Sequence, residues 1–328
     1  MSTMLKLLPS TNDPKLEELI GHGEAAANMF SDLCRSLVGG TVLRRDEPLA
    51  KKTTLRVGGP ADIYVEPQGE EALATVIQYA RLRSIPFFIL GRGSNLLVRD
   101  GGIRGVVISL NHAAFNYLRF EGGGVSAGAG VKLKHLANET RRAGLAGFEF
   151  LEGIPGSLGG ALRMNAGAMG RMTFEVVERV RFVDSFGEVH EVPASEMHAE
   201  YRRCPRLEHS IAVGAFLRGG IGDATEIKQR MDLYSQKRWS SQPTQPSAGC
   251  TFKNPLPELP AGRLIDELGL KGLRIGDAMV SDVHANFFVN LGNAKASDVL
   301  ALIAEVQRRA LALRGIKLDT EVEIVGEE

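Results

Sequence analysis

Two glycine-rich loops, one cysteine in polar company, an arginine cluster and a late glutamate are the residues of this chain whose types and spacing point to chemistry. Gly91-Arg92-Gly93-Ser94-Asn95 follows the apolar run PFFIL (86–90). Its glycines let successive backbone N–H groups approach a phosphate with no side chain in the way, and Ser94 and Asn95 add polar donors. An ordinary tight turn has the same composition, so this loop alone decides nothing. The second loop, GIPGSLGGALRMNAGAMG (153–170), sets a Pro-Gly turn before Ser157 and predicts a short helix from Leu158 whose first N–H groups face an anion. Two such loops in one chain favour a diphosphate-bearing ligand. Cys250 lies in SAGCTFKNP, where Gly249 permits close ligand approach and Lys253 and Asn254 supply a cation and an amide. An isolated cysteine is more often a small buried apolar residue. Arg202, in Tyr201-Arg202-Arg203 after a helical turn led by Ser195 and Glu196, and Glu321, heading the last strand, also have the ordinary alternative of a solvated charge.

Other chemistries are excluded by spacing. Gly128-Ala129-Gly130-Val131-Lys132-Leu133 lacks the third glycine of a dinucleotide fingerprint, which argues against a standard dinucleotide fold. Gly124-Val125-Ser126-Ala127-Gly128 matches a nucleophile elbow, but Gly122, Gly123 and Gly130 extend it into a strand-turn repeat, not a strand-to-helix turn. The seven histidines form no HExxH or other close pair, so no metal site is expected.

Several elements must position these groups. A helical stretch from Asp13 to Leu37 ends at Gly39-Gly40; ADIYVEP reads as a strand, Glu70 to Arg83 as a helix, and PFFIL as the strand that enters the first loop. GVVISL (105–110) is a further strand, Lys132 to Ala143 a helix capped at Gly144, and VERVRFVD with EVHEV a hairpin about Ser185-Phe186-Gly187. After the strand IAVGAFL (211–217) comes a polar helix from Ala224 to about Trp239, then SSQPTQPSAG, whose composition marks a boundary. The remainder predicts a helix at Arg263 to Leu268, the strand ANFFVNL (285–291), a helix N-capped by Ser297 that buries Leu300, Ile303, Val306, Ala310 and Leu313 and stops at Gly315, and a closing strand EVEIV. The fold class is α+β.

The 328 residues allow two or three domains. With 39 basic and 39 acidic side chains the chain lacks the positive field of a nucleic-acid coat or polybasic membrane binder, so cations that hold an anion must be local. Eighteen of the 38 glycines fall in the 80 residues from Gly91 to Gly170, so the surplus sits around the two loops. Cys34, Cys204 and Cys250 are odd in number and form no CxxC pair, which fits a reduced cytoplasm, and no run approaches the roughly 18 apolar residues of a span.

Taken in order, LRVGGPADIYVEP, GRGSNLLV, GIPGSLGGALRMNAGAMG, EYRRC, SAGCTFKNP, HANFFVN and LDTEVEIVG resemble the UDP-N-acetylenolpyruvoylglucosamine reductase family, from about residue 45 to the end. Single motifs are weak; seven in order are specific. The resemblance implies a two-lobed FAD-binding domain of the vanillyl-alcohol oxidase and p-cresol methylhydroxylase type (46–222), a smaller α+β substrate domain (223–328) whose final strand returns to the active site, and a partly helical extension at 1–45. The 48 positions between Arg202 and Cys250 resemble the subclass without an inserted substrate-covering segment.

The resemblance further implies non-covalent FAD on Gly91, Arg92, Gly93, Ser94 and Asn95 and on Gly153, Gly156, Ser157, Gly159 and Gly160. NADPH would be the co-substrate and UDP-N-acetylglucosamine enolpyruvate the substrate, with no nucleic-acid or membrane partner and a monomer or weak homo-oligomer. Arg202 would stabilise the negative charge that develops when hydride reaches the alkene, Glu321 would lie protonated beside the same carboxylate, and Cys250, where the family commonly has serine, would donate the proton. Arg202 pulling the thiol pKa down competes with that last role. Tyr201, Arg238, Lys253 and Asn254 would contact the substrate, with Arg238, Lys253 and Asn254 gripping the UDP diphosphate. The alternatives are a related flavin oxidase of another alcohol or sugar, or a non-catalytic UDP-sugar-binding module.

Overall fold

The computed structural model describes residues 24–37 and 39–328. The first lobe is a four-stranded sheet in the order Val42–Pro48, Pro60–Glu66, Ile103–Ser109, Phe87–Leu90, with its last two neighbour pairs parallel. Both faces of Pro60–Glu66 are covered, which is why it reads as an almost continuous apolar run. Ile63 and Val65 pack with Leu73, Val76 and Ile77 of the helix Glu70–Leu82, whereas Tyr64 faces Leu90, Val98 and Val107.

The second lobe is an antiparallel sheet in the order Val189–Pro193, Val177–Asp184, Ser210–Arg218, Gly124–Gly128, Leu118–Glu121. The hairpin about Ser185-Phe186-Gly187 is present, and Gly124–Gly128 is an inner strand of this sheet, which rules out an elbow there. Leu133–Arg142 and Leu158–Arg163 pack their apolar residues beneath it.

A third sheet, Ser247–Cys250, Phe287–Asn290, Ala278–Val280, Arg274–Ile275, is covered by Ala261–Glu267 and Ala296–Arg314. Its core includes Leu55, Val57 and Leu97 from the first lobe. The closing strand Glu323–Val325 pairs in parallel with Leu96–Val98, directly after the first glycine loop.

Four expectations are corrected by this packing. The boundary at residue 45 cuts through the edge strand Val42–Pro48, and Met29 and Leu33 of the helix Glu24–Ser36 are buried in the first lobe, so described residues before 46 belong to that lobe. The remainder of the predicted Asp13–Leu37 helix lies outside the described residues. The boundary at 222/223 would detach the helix Ala224–Ser241, yet Ile227 and Met231 are buried in the second lobe's core. The long C-terminal helix buries Val299, Leu302, Ile303, Val306 and Ala310, while Leu300 is half-buried and Leu313 is 65% exposed.

The fourth concerns the start of that helix, which is capped by a residue from far away. Lys295, not Ser297, is the cap position, and the Asp100 carboxylate accepts from Ala296 N (2.8 Å) and Ser297 N (2.9 Å). Asp100 thereby ties the loop after Leu96–Val98 to the C-terminal unit and satisfies two amides at the helix start. Asp100→Ala should lower stability by about 0.5–2 kcal/mol at pH 7. Burial alone would raise the Asp100 carboxyl, but the Ser297 and Ala296 amides hold it below its usual value. Its contribution is therefore present above the unfolded carboxylate range and lost as pH falls through the lower folded value. Urea unfolding of wild type and variant at pH 7 and pH 3 should show the difference shrinking in acid; a difference that grows there contradicts this role.

Candidate active site

The two lobes and the C-terminal unit meet around a cavity of about 320 Å³. Its chemistry is concentrated at Arg202, Cys250 and Glu321, which arrive from three different segments.

Arg202 sits in a tight turn closed by backbone bonds between Glu200 and Arg203 (2.8 and 3.3 Å). Its φ is +58°, a left-handed conformation that costs a residue other than glycine about 1–3 kcal/mol. Arg202 Nη2 lies 3.1 Å from Glu321 Oε1, and its buried Nε has no partner. A guanidinium in this state keeps a donor in reserve for an anionic ligand.

Glu321 is fixed through its backbone. Its N–H donates to Thr251 O (2.8 Å), and its carbonyl accepts from Asn95 Nδ2 (3.2 Å). Burial pushes its carboxyl above the usual range, while Arg202 and Lys253 pull the other way. Strand alternation then brings Glu323 into the same cavity wall and turns Val322 and Ile324 into the C-terminal core. Burial also raises the Glu323 carboxyl, against the opposing charge of Arg163.

Cys250 ends the strand Ser247–Cys250, which slips register against Phe287–Asn290 before it, with Gly249 at φ +80°. A side chain at that φ would strain the bulge that aims Cys250 at the cavity. Burial, then Glu321, push the Cys250 thiol up to about 11, and Arg202 and a hydrogen bond to Asn286 only partly oppose this. The competition left open by sequence is thus decided for the protonated thiol. Asn286 also holds the chain two residues on: its Oδ1 accepts from Phe252 N (2.9 Å) and its Nδ2 donates to Phe252 O (2.8 Å).

The glycine loops wall the same cavity, in part by a different physics from that expected. Gly91, Arg92, Gly93, Ser94, Asn95, Gly153, Gly156, Ser157 and Gly160 line it. Gly93, at φ +60°, is also required by packing, since a Cβ would stand 2.8 Å from Thr53 Cα. The expected row of free amides at Leu158 is not present, because Leu158 N and Gly159 N donate to Val131 O (2.9 Å) and Ala129 O (2.8 Å). Gly159 lies against Ala129 and lines only an adjoining cavity of about 70 Å³.

Arg238 lines the main cavity and donates through Nη1 to Gly153 O; burial lowers its pKa, against Glu152. Tyr201, Lys253 and Asn254 are not in the lining. Tyr201 is 74% exposed, Lys253 is exposed and acts on Glu321 through its charge, and Asn254 Oδ1 accepts from Ala261 N (3.0 Å) at the start of Ala261–Glu267. Sequence reasoning missed Arg163, Gln242, Asn286 and Glu323. Glu323 was readable from its alternation with Glu321; Gln242 was hidden in a stretch that reads as a linker.

This cavity fits FAD on its own features. A Cβ at buried Gly153 would meet no atom within 4 Å and would occupy the cavity, and the adjoining chamber shares Leu90, Gly91, Ser157 and Gly160 with the main one, giving an elongated volume. Residues 61–193 match the FAD binding domain model, so the two lobes are those of an FAD-dependent flavoprotein with mixed helix and strand. Residues 242–325 match a second model, UDP-N-acetylenolpyruvoylglucosamine reductase, C-terminal domain. The UDP-N-acetylenolpyruvoylglucosamine reductase of Syntrophus aciditrophicus is 44% identical over 298 residues, covering 90% of this chain and 95% of the relative. That of Heliobacterium modesticaldum is 45% identical over 285 residues, covering 86% and 90%. The crystal structure of the Thermus caldophilus enzyme superposes with a TM-score of 0.75 at 38% identity, covering 87% of this chain and 99% of that one. The chain belongs to the UDP-N-acetylenolpyruvoylglucosamine reductase family.

A thiol near 11 is almost wholly protonated at neutral pH and therefore a poor nucleophile. With exposed Cys34 as internal reference, iodoacetamide at pH 7.5 should label Cys34 and leave Cys250 unmodified until the pH is raised by several units or the protein is unfolded. Peptide mass mapping reads both sites; equal rates at pH 7.5 would contradict the assignment.

Proposed function

We propose that this protein reduces the enolpyruvyl ether of UDP-N-acetylglucosamine to UDP-N-acetylmuramate with electrons from NADPH, in the cytoplasm of a wall-forming bacterium. The observation that carries this reading is the convergence of a raised thiol, a buried carboxyl and a half-satisfied guanidinium on one cavity. FAD, held by the two glycine loops, would supply the hydride, drawn from NADPH, that the alkene takes up. Hydride arrival leaves negative charge on the carbon bearing the substrate carboxylate, delocalised into that carboxylate. Arg202 is positioned to stabilise it, because its unpaired Nε and the guanidinium beside Glu321 sit in a site of low dielectric. Glu321 can donate a hydrogen bond to the same carboxylate only while it carries a proton, which its burial favours. Cys250 Sγ then delivers its proton to the carbanion.

We assign substrate contacts to Tyr201, Arg238, Lys253 and, through the Nδ2 that the helix start leaves over, Asn254, with FAD held by the loop residues 91–95 and by Gly153, Gly156, Ser157, Gly159 and Gly160. For Lys253 the support is its charge near Glu321; for Arg238 it is its place in the cavity wall. Free cysteines fit a reducing compartment, and no described helix is long and apolar enough to cross a membrane. All the site residues come from one chain, so a monomer or weak homo-oligomer suffices.

Purified protein should be yellow, be bleached anaerobically by NADPH, and recover its colour when the enolpyruvyl substrate is added. Cys250→Ala should leave bleaching intact and slow recovery by about 10²–10⁴-fold, the range for loss of a positioned acid, while Cys250→Ser should keep much of the rate. Arg202→Ala should likewise spare bleaching and lose recovery. Stopped-flow absorbance separates the halves; undiminished recovery in Cys250→Ala removes the thiol as donor, and a colourless protein that takes up no FAD rejects the function.

A further inference from the structure

Two buried side-chain atoms in the wall of the main cavity have no hydrogen-bond partner: Arg202 Nε and Gln242 Oε1. Arg202 Nε is accounted for by an anionic substrate. Gln242 Oε1 is not, because it is an acceptor, and phosphates and carboxylates only accept. A buried acceptor left unpaired is costly, and a donor on a bound ligand removes that cost.

The backbone that carries the side chain is held where it is. Gln242 N donates to Arg238 O (3.0 Å) at the end of the helix Ala224–Ser241, and its φ −127° and ψ 145° are the extended values that a following Pro243 imposes. One turn back, Arg238 is itself tied to Gly153 O. The side chain therefore leaves the helix end from a fixed backbone position in the cavity wall.

We propose that Gln242 recognises the edge of a cyclic imide, its Oε1 accepting from the imide N–H and its amide plane lying along the flanking carbonyls. A primary amide is a rigid acceptor-donor edge, and an imide is its rigid complement, whereas a hydroxyl rotates and selects nothing. Two ligands of the proposed reaction carry this edge: the pyrimidine ring of the flavin and the uracil ring of UDP. The inference rests on the flavoprotein function above, and the wild-type protein tests that function separately by its colour and its bleaching with NADPH.

The experiment compares wild type, Gln242→Leu, which removes the acceptor at similar volume, and Gln242→Glu, which keeps an acceptor, with thermal melting to confirm folding. In one arm, stripped protein is titrated with FAD and with N3-methyl-FAD, read by flavin fluorescence. In the other, FAD-loaded protein is titrated calorimetrically with UDP and with CDP, whose ring has no N3–H. Wild type should prefer the N–H ligand in one arm by about tenfold, the size of one hydrogen bond. Gln242→Leu should lose that preference and Gln242→Glu retain it. Lost preference in the flavin arm assigns Gln242 to the cofactor, and lost preference in the uridine arm assigns it to the substrate. Preferences unchanged in a folded Gln242→Leu in both arms overturn the proposal.

Discussion

Placing a carboxyl and a thiol out of water beside a single guanidinium makes both acids hard to ionise, and the arrangement of the rest of the chain serves to keep them there. Arg202 could hold Glu321 ionised and draw the Cys250 proton away if water surrounded the three. Burial outweighs it in both cases, so the thiol rises to about 11 and the carboxyl shifts upward. The same low dielectric that penalises those charges strengthens Arg202 as a partner for charge that forms during reaction. Strain in the backbone of Arg202 belongs to this scheme, because a left-handed arginine persists only where the surrounding turn enforces it.

No single domain supplies that environment. Glu321 is held by Asn95 from the first glycine loop and by Thr251 from the cysteine strand, while Thr54 Oγ1 bonds Ser247 O (2.7 Å) and approaches Gly93 O (3.2 Å). The closing strand lies parallel on Leu96–Val98, and Asp100 caps the long C-terminal helix from the same side. Cofactor loop and acid-bearing segments are thus parts of one hydrogen-bonded assembly, and a shift in one is felt in the other. The family match across two models, at 61–193 and 242–325, divides the chain near the helix Ala224–Ser241, which belongs by packing to the second lobe.

Local pattern made most elements and the central residues legible. Alternation and helical spacing marked the strands and helices of both lobes, and the family resemblance of the ordered motifs singled out Arg202, Cys250 and Glu321. Non-local partners escaped it. The amides of Leu158 and Gly159 look free in sequence because nothing local reveals that Val131 and Ala129 take them. Asn254 reads as a ligand group and spends its Oδ1 on a helix start; Ser297 reads as a cap and is displaced by Asp100. The helix Ala224–Ser241 buries only Ile227 and Met231, too thin a stripe to show which unit it joins. At Cys250 the residues present were readable, but the sign of the outcome depended on burial, which only the fold provides.

The central claim is that burial keeps the Cys250 thiol protonated so that it can donate. Its most direct test is the pH dependence of flavin recovery after NADPH-reduced wild type is mixed with the enolpyruvyl substrate, with Cys250→Ser as the control for other titrations. A donor near 11 predicts a rate that holds to pH 10 and declines only beyond it. A fall of about 30-fold by pH 10 that is absent in Cys250→Ser would be the behaviour of an ordinary thiol near 8.5 and would contradict the account.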